Sequence, residues 1–263
     1  MKSPLNYFGG KSVLSKTIVP LIPRDHVCYC EPFAGGAWVL FSKDPSEVEV
    51  LNDLDAELIT FWRVVQNHLE EFLRYYKWAV VSRHLFDLAN KQDPALLTDI
   101  QRAVRYYYLQ RLGFGGRTFK RTWGAGAMKP TNLNLDTIED VLLSTHWRLK
   151  RVTIERMDAC DCIKRYDRKT TFFYIDPPYY HVSQGYAHQY KDADFSRLKE
   201  TLNGIVGRFV LSLNDTPDVI SLFKGYHFRR VSLRYSAGNV RAAEDTRAKL
   251  RAELLISNFK PSV

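Results

Sequence analysis

The apolar positions of this 263-residue chain follow strand spacing near both ends and helical spacing between them. Residues 26–31 alternate in polarity, and the glycine-containing turn 32–36 and a helix-like segment at 37–41 come next. A second strand is predicted at 48–51, directly before Asn52 and Asp53. The order strand, glycine turn, helix, strand is typical of the start of a βαβ unit.

Helical spacing then dominates from Ala56 to Tyr108, and strand-like runs return at 152–154, 171–176, 208–213 and 253–258. This pattern predicts an α/β fold in which a helical insert interrupts the sheet along the chain. We assign residues 57–150 to the insert, and residues 1–56 and 151–263 to the sheet domain. The longest apolar runs are far shorter than the roughly 20 residues that span a bilayer. Since no secretion signal is recognisable either, we expect a cytoplasmic protein without a membrane partner.

Positive charge is concentrated in the predicted insert. The chain has 38 Lys and Arg against 29 Asp and Glu, and residues 100–135 contain seven basic residues but no acid. Tyrosines, phenylalanines, a tryptophan and several glycines are interleaved with these basic residues. Basic side chains mixed with aromatic rings suit a nucleic-acid backbone and its groove. The alternative is a solvated basic face that binds nothing.

The most specific motif is Asp176-Pro177-Pro178-Tyr179, at the end of the apolar run 171–175. Proline cannot continue a strand ladder, so Asp176 should lie at the carboxyl end of a strand, where open α/β sheets bind ligands. The Asp176 carboxylate and the Pro177 carbonyl are adjacent acceptors, which suits the weakly nucleophilic amine of adenine. Tyr179 offers a ring on which a base can stack. The alternative is a tight turn with a capping Asp and a packing Tyr.

The glycine turn lacks the full G-x-G-x-x-G pattern, so a dinucleotide pyrophosphate is not its natural ligand. S-adenosylmethionine has no phosphate and needs only close backbone approach, which Gly35 and Gly36 allow. Asp53 suits ribose hydroxyls, although it could instead cap a helix. The C-x-C spacing of the four cysteines differs from that of structural zinc sites, so we predict reduced thiols and no metal.

In their order along the chain these motifs resemble the N6-adenine DNA methyltransferases of bacteria and phages that include the GATC-methylating Dam enzymes. The matching features are Asn6-Tyr7-Phe8-Gly9-Gly10-Lys11, Glu31-Pro32-Phe33-Ala34-Gly35-Gly36, Asp53 and Asp176-Pro177-Pro178-Tyr179. In the Dam-like group the target-recognition insert lies between the cofactor motif and D-P-P-Y, where the helical and basic block lies here. The resemblance continues through 211–217 and 253–258.

The resemblance implies a Rossmann-like S-adenosylmethionine-dependent methyltransferase fold, a mixed seven-stranded sheet with helices on both faces and an antiparallel last strand. It implies double-stranded DNA as partner, with GATC as one candidate site, and a flipped adenine methylated by direct transfer. The implied S-adenosylmethionine contacts are Tyr7, Lys11, Phe33, Gly35, Asp53, Asp158 and Asp176. The implied catalytic residues are Asp176, Pro177 and Tyr179. The predicted DNA contacts are Arg111, Arg117, Lys120, Arg121 and Trp123.

Two other functions stay open at this stage. The first is the same chemistry on an amine of RNA or protein, and the second is a DNA-binding protein without catalysis. Asp rather than Asn before Pro-Pro-Tyr, together with the basic insert, favours DNA. The presence of Tyr7, Lys11, Asp53 and Asp176 favours an active enzyme.

Overall fold

The computed structural model describes residues 1–7, 13–118, 121–126, 131–181, 190–234 and 250–261. Seven strands form one sheet in the order β3-β2-β1-β4-β5-β7-β6. The first five are parallel, and β7 runs antiparallel to both of its neighbours. The strands are β1 Cys28–Glu31, β2 Val48–Asn52, β3 Val152–Glu155, β4 Thr171–Ile175, β5 Arg208–Asn214, β6 His227–Arg234 and β7 Leu250–Ser257. The predicted mixed seven-stranded α/β sheet is therefore confirmed.

The spacing analysis missed one strand, β6. It lies at the edge of the sheet, and the consecutive Arg229 and Arg230 break the alternation of polar and apolar residues by which strands were predicted. The α-helices in the described residues are α1 Ser15–Ile18, α2 Trp38–Ser42, α3 Ala56–Asn67, α4 Leu69–Tyr76, α5 Arg83–Lys91, α6 Asp99–Leu112, α7 Ile138–Leu149, α8 Ala159–Tyr166, α9 Asp192–Asn203 and α10 Pro217–Leu222. No helix among the described residues is long and apolar enough to cross a membrane.

The central strand β4 is buried along its whole length because helices cover both faces of the sheet. Its side chains alternate between two apolar clusters: Phe172 and Tyr174 belong to one, and Phe173 and Ile175 to the other. The first cluster includes residues of α2, α3, α6 and α7, and the second includes residues of α8, α9 and α10. Strand β4 is therefore packed on both faces, and this packing positions the D-P-P-Y residues that follow it.

The predicted insert packs directly onto the sheet. Phe61 of α3 stacks on Tyr107 of α6 with ring centroids 5.5 Å apart, and both belong to the same apolar cluster as Leu51 of β2. Asp55 caps α3 by accepting the backbone N–H groups of residues 57 and 58. Among the described residues the core thus continues across residue 57, and the division into a sheet domain and an insert stays a prediction.

The four cysteines are free thiols, and Cys30 Sγ lies 3.8 Å from Cys162 Sγ inside the core. Burial raises the pKa of the Cys30 thiol well above its usual value. Within the described ranges no group of three or more His, Cys, Asp or Glu side chains could hold a metal ion. The cysteines therefore pack as small apolar side chains.

Candidate active site

The loops after β1 and β2 are joined by a carboxylate. Asp53 Oδ2 accepts the backbone N–H of Gly35 at 3.0 Å, and Asp53 Oδ1 accepts that of Asp55 at 3.0 Å. Helix capping, the alternative role considered for Asp53, is performed by Asp55. Asp53 is therefore oriented at the edge of the glycine turn, where it can accept further hydrogen bonds.

Sequence reasoning gave no role to Asn52, the last residue of β2. Its side chain is fully buried, and its Nδ2 donates to the carbonyl of Pro32 at 2.9 Å and to that of Met157 at 3.1 Å. Its Oδ1 accepts the Met157 N–H at 2.9 Å. One amide at the end of β2 thus connects the segments that follow β1 and β3. The sequence carries no periodic signal for this role, because it depends on which loops approach the buried amide.

The glycine turn forms a narrow cradle beside Tyr7. Gly35 has φ +46°, and a Cβ at this position would lie 3.0 Å from Tyr7 Cε1. A Cβ on Gly36 would lie 3.0 Å from Tyr7 Cβ. A side chain at either glycine would therefore fill the space against the tyrosine ring.

An unpartnered hydroxyl among the described residues, that of Tyr190, belongs to a ring that contacts Phe33 of the glycine turn. The ring of Phe33 contacts that of Tyr190 edge to face, with centroids 5.5 Å apart. The Tyr190 hydroxyl is buried and has no hydrogen-bond partner within the described part of the chain. Burial raises the pKa of Tyr190, so its hydroxyl is a neutral donor. A cradle without room for side chains, an aromatic wall and a buried donor fit a cofactor that carries an aromatic base.

Asp158, the predicted partner of the cofactor adenine, already has two contacts in this structure. Its Oδ1 accepts the N–H groups of Cys160 and Asp161 and so caps α8. Its Oδ2 pairs with Arg197 Nη2 at 2.5 Å. The carboxylate is fixed by α8 and α9, and its role toward a cofactor stays a prediction.

At the end of β4, Asp176 is oriented by a serine of the neighbouring strand. Ser212 Oγ, on β5, donates to Asp176 Oδ1 at 2.7 Å. Tyr174 Oη lies 3.1 Å from Ser212 Oγ and must be the donor of that bond, because the only serine proton is already directed at Asp176. Tyr179 Oη donates to Glu253 Oε1 of β7 at 2.5 Å. The D-P-P-Y residues are thus held from β5 and β7.

A second acid near this edge, Glu31, has a raised pKa. Glu31 ends β1, is 1% exposed, and accepts the Tyr29 hydroxyl at 2.7 Å and the Leu40 N–H at 2.8 Å through Oε1. Burial, with the charge of Asp176 acting in the same direction, raises the pKa of Glu31 to about 8. Glu31 is therefore mainly protonated at pH 7 and connects β1 with α2.

Several arginines of the acid-free stretch, residues 100–135, form hydrogen bonds or ion pairs with other groups of the protein. Arg111 donates to the carbonyl oxygens of Pro4 and Asn132. Arg102 pairs with Glu57 at 2.5 Å, and Arg105 Nε donates to the Ala89 carbonyl at 2.7 Å. The charge count alone therefore overestimates the number of arginines that are available to bind a polyanion. Contact of Arg111 with DNA stays a prediction that this geometry does not favour.

The remaining predicted DNA residues lie in and after the loop that follows α6. Arg117 is half-buried, and the Arg121 guanidinium lies over the Tyr106 ring, 5.3 Å from its centroid. The Trp123 ring contacts Phe86 of α5 edge to face at 5.6 Å. Lys120 and the predicted cofactor contact Lys11 lie outside the described residues.

This loop also touches the N-terminal segment that carries Tyr7. A Cβ on Gly116 would lie 2.5 Å from the Asn6 carbonyl oxygen, so only glycine fits there. Gln110 Nε2 donates to the carbonyl oxygens of Asn6 at 3.0 Å and Gly116 at 3.2 Å. The predicted DNA loop and the predicted cofactor segment are therefore in direct backbone contact.

Two solved structures similar to this chain have low TM-scores. Precorrin 8W decarboxylase of Methanobacterium thermoautotrophicum gives a TM-score of 0.43 at 10% identity, covering 94% of this chain and 90% of its own. The rRNA methyltransferase AviRa of Streptomyces viridochromogenes gives 0.41 at 10% identity, covering 94% and 84%. Both TM-scores are low, and the order of the strands in the sheet defines the fold.

Sequence relatives cover nearly the whole chain. The type II methyltransferase M.CviBI of Paramecium bursaria Chlorella virus NC1A is 24% identical over 239 residues, covering 89% of this chain and 91% of the relative. The type II methyltransferase M1.LlaDCHI of Lactococcus lactis subsp. cremoris is 25% identical over 273 residues, covering 95% and 93%. The family profile described as D12 class N6 adenine-specific DNA methyltransferase matches residues 7–237. That range contains the glycine turn, Asp53 and the D-P-P-Y motif, and the chain therefore belongs to the D12 class N6 adenine-specific DNA methyltransferases, for which S-adenosylmethionine is the methyl donor.

Proposed function

We propose that this protein transfers a methyl group from S-adenosylmethionine to the N6 amine of an adenine that is flipped out of a short, specific site in double-stranded DNA. The observation that carries the proposal is the Asp176 carboxylate, oriented by Ser212 at the carboxyl end of β4 and followed by Pro177 and Tyr179. When bound, S-adenosylmethionine supplies an electrophilic methyl group. The protein must present the amine to it.

Asp176 and Pro177 make the amine a better nucleophile. The lone pair of the adenine amine is delocalised into the ring, so it attacks only when the nitrogen becomes pyramidal. A carboxylate accepts several hydrogen bonds, so Asp176 can accept one amine N–H while Ser212 occupies Oδ1. The Pro177 carbonyl accepts the other. After transfer the nitrogen carries an excess proton, for which Asp176 is the adjacent acceptor.

Tyr179 stabilises the base outside the helix. Flipping a base costs a few kcal/mol in lost stacking and pairing. Stacking on an aromatic ring returns about 1–3 kcal/mol. The Tyr179 ring follows the two prolines directly, so a base stacked on it has its amine near Asp176.

The proposed cofactor contacts belong to the N-terminal segment and to the loops after β1, β2 and β3. Tyr7 and the glycine turn provide close approach, Phe33 provides an aromatic wall, and Asp53 accepts from the ribose hydroxyls. Asp158 is proposed for the cofactor adenine and Lys11 for the carboxylate of the methionyl end.

DNA binding is proposed for Arg117, Lys120, Arg121 and Trp123. Arg111 instead connects the carbonyl oxygens of Pro4 and Asn132. GATC is a candidate recognition site from the resemblance to Dam enzymes. The two sequence relatives carry type II names, and by analogy we propose a role as the methylating component of a restriction-modification system.

To test this proposal, the protein is incubated with methyl-labelled S-adenosylmethionine in three parallel assays, whose substrates are unmodified duplex DNA, RNA and protein. DNA is digested to nucleosides and mapped by single-molecule sequencing. We expect N6-methyladenine at one short motif. Label confined to RNA or protein contradicts the DNA substrate. Cofactor binding without transfer to any substrate contradicts the enzymatic proposal and favours a DNA-binding protein.

A further inference from the structure

The ring proposed to stack on the target base is held by a residue of a distant strand. Tyr179 Oη donates to Glu253 Oε1 at 2.5 Å across a sequence separation of 74 residues. Glu253 lies on β7 and is only 2% exposed. A buried carboxylate needs hydrogen bonds or a counter-charge to offset its loss of water, so it binds the phenol hydroxyl strongly.

The neighbouring tyrosine is fixed from the same position in the sheet. Glu253 pairs in register with Asn214 of β5, and side chains of directly opposite residues lie on the same face. Asn214 Oδ1 accepts the backbone N–H of Tyr180 at 2.9 Å, and its Nδ2 donates to the Tyr180 carbonyl at 3.2 Å. Asn214 therefore fixes the backbone after Tyr179, and Glu253 fixes the Tyr179 side chain.

We propose that Glu253 is a positioning residue for methyl transfer, which acts by holding the Tyr179 ring in the orientation that stacks on the flipped adenine. The inference rests on the proposed function, since it assigns a task to Tyr179 in that reaction. The antiparallel strand β7 thereby contributes to the site although it is remote in sequence from the D-P-P-Y motif. A phenylalanine at 179 would keep a stacking ring but would lose the bond that orients it.

The test measures single-turnover methyl transfer, the apparent affinity for S-adenosylmethionine, and the fluorescence of a duplex with 2-aminopurine at the mapped target position. Glu253→Ala is expected to slow transfer roughly 10- to 100-fold, a magnitude typical of a misplaced reacting group. It should leave cofactor affinity unchanged and raise the fluorescence of the flipped base, because stacking quenches it. Glu253→Gln retains an acceptor oxygen and should restore most of the rate.

Tyr179→Phe should lose as much rate as Glu253→Ala, and the double variant should lose no more than either single one, because both remove the same bond. The matched control is Tyr166→Phe, which removes a similar bond from Tyr166 Oη to Glu155 Oε1 at 2.6 Å. It should transfer methyl groups at the wild-type rate. If Glu253→Ala does not fold, Glu253→Gln and Tyr179→Phe carry the comparison.

The outcomes separate the inference from the proposed function. Wild-type rates in both Tyr179→Phe and Glu253→Ala, with the unsubstituted protein active, overturn the positioning role and leave the function intact. Equal slowing of Tyr166→Phe and Tyr179→Phe also overturns it, because a general loss of stability would then explain both. Absence of adenine methylation by the unsubstituted protein overturns the proposed function, and the positioning role with it.

Discussion

The carboxyl edge of the sheet and the acid-free stretch at 100–135 use their charged residues in opposite ways. At the sheet edge, Asp53 and Asp176 are oriented by backbone N–H groups and a serine hydroxyl. In the basic stretch, Arg102 and Arg111 are bound to other parts of the protein. A specific motif thus predicted where charges would be oriented, whereas a count of charges did not predict which of them face a partner.

The difference has a physical origin. A strand that ends in prolines leaves its next side chain at a defined place, because the ladder cannot continue. An arginine has a long side chain and five donors, so it binds a carbonyl or carboxylate of its own protein as readily as a phosphate. Residue type therefore says less about function for Arg111 than for Asp176.

The largest effect that would test the sheet edge is the loss of its acid. Asp176→Ala should lower the methylation rate by roughly 10²–10⁴-fold, the scale of a positioned proton acceptor. The measurement is a single-turnover assay with labelled S-adenosylmethionine. The control Asp161→Ala removes an exposed acid and should transfer at the normal rate. Near-normal activity of Asp176→Ala would contradict the mechanism.

The variant Asn52→Ala tests whether the site depends on the amide that connects the loops after β1 and β3. Asn52→Ala leaves the Pro32 and Met157 carbonyls without this donor, and should lower the free energy of unfolding by about 2–3 kcal/mol and weaken cofactor binding. Urea denaturation and calorimetry measure the two effects. Asn67→Ala, at an exposed asparagine on α3, should change stability by less than about 0.5 kcal/mol. Equal losses in both variants would show that Asn52 has no special role.

Alanine variants of two adjacent glycines test the contact between the loop after α6 and the N-terminal segment that carries Tyr7. Gly115 and Gly116 have φ of +68° and +67°, so alanine at either is strained by about 1–2 kcal/mol. Only at Gly116 would the new Cβ also meet the Asn6 carbonyl, and we expect about 1–3 kcal/mol of additional destabilisation. Denaturation and cofactor titration of both alanine variants would show it. Indistinguishable variants would rule out a role for the contact.

The smallest effect concerns the arginines themselves. Arg117→Ala should reduce the salt dependence of DNA binding by about one unit of slope, as expected for one lost phosphate contact. Arg102→Ala should leave that slope unchanged and lower stability by up to about 1 kcal/mol, because its partner is Glu57. Titrations of duplex DNA at several salt concentrations measure the slopes. Equal slopes for Arg117→Ala and the unsubstituted protein would remove Arg117 from the proposed DNA contacts.

Much of the fold could be read from local patterns, because buried parallel strands form distinct apolar runs and Asp176-Pro177-Pro178-Tyr179 ends one of them. The edge strand β6 could not, since its arginines obscure the alternation. Asn52 and Ser212 were also missed, because a buried polar residue gives no periodic signal and its role depends on which loops approach it.

The sequence by itself determined the α/β class, the acids at the strand ends and the family to which their order points. These features depend on neighbouring residues, and local sterics and side-chain chemistry fix them. Only the tertiary structure decided three sets of hydrogen bonds. Glu253 accepts the Tyr179 hydroxyl, Asn214 bonds to the Tyr180 backbone, and Arg111 donates to the Pro4 carbonyl in the N-terminal segment. Such contacts join residues far apart in the chain, and they arise only when the sheet order brings β5 and β7 beside the end of β4 and packs α6 against residues 4–6.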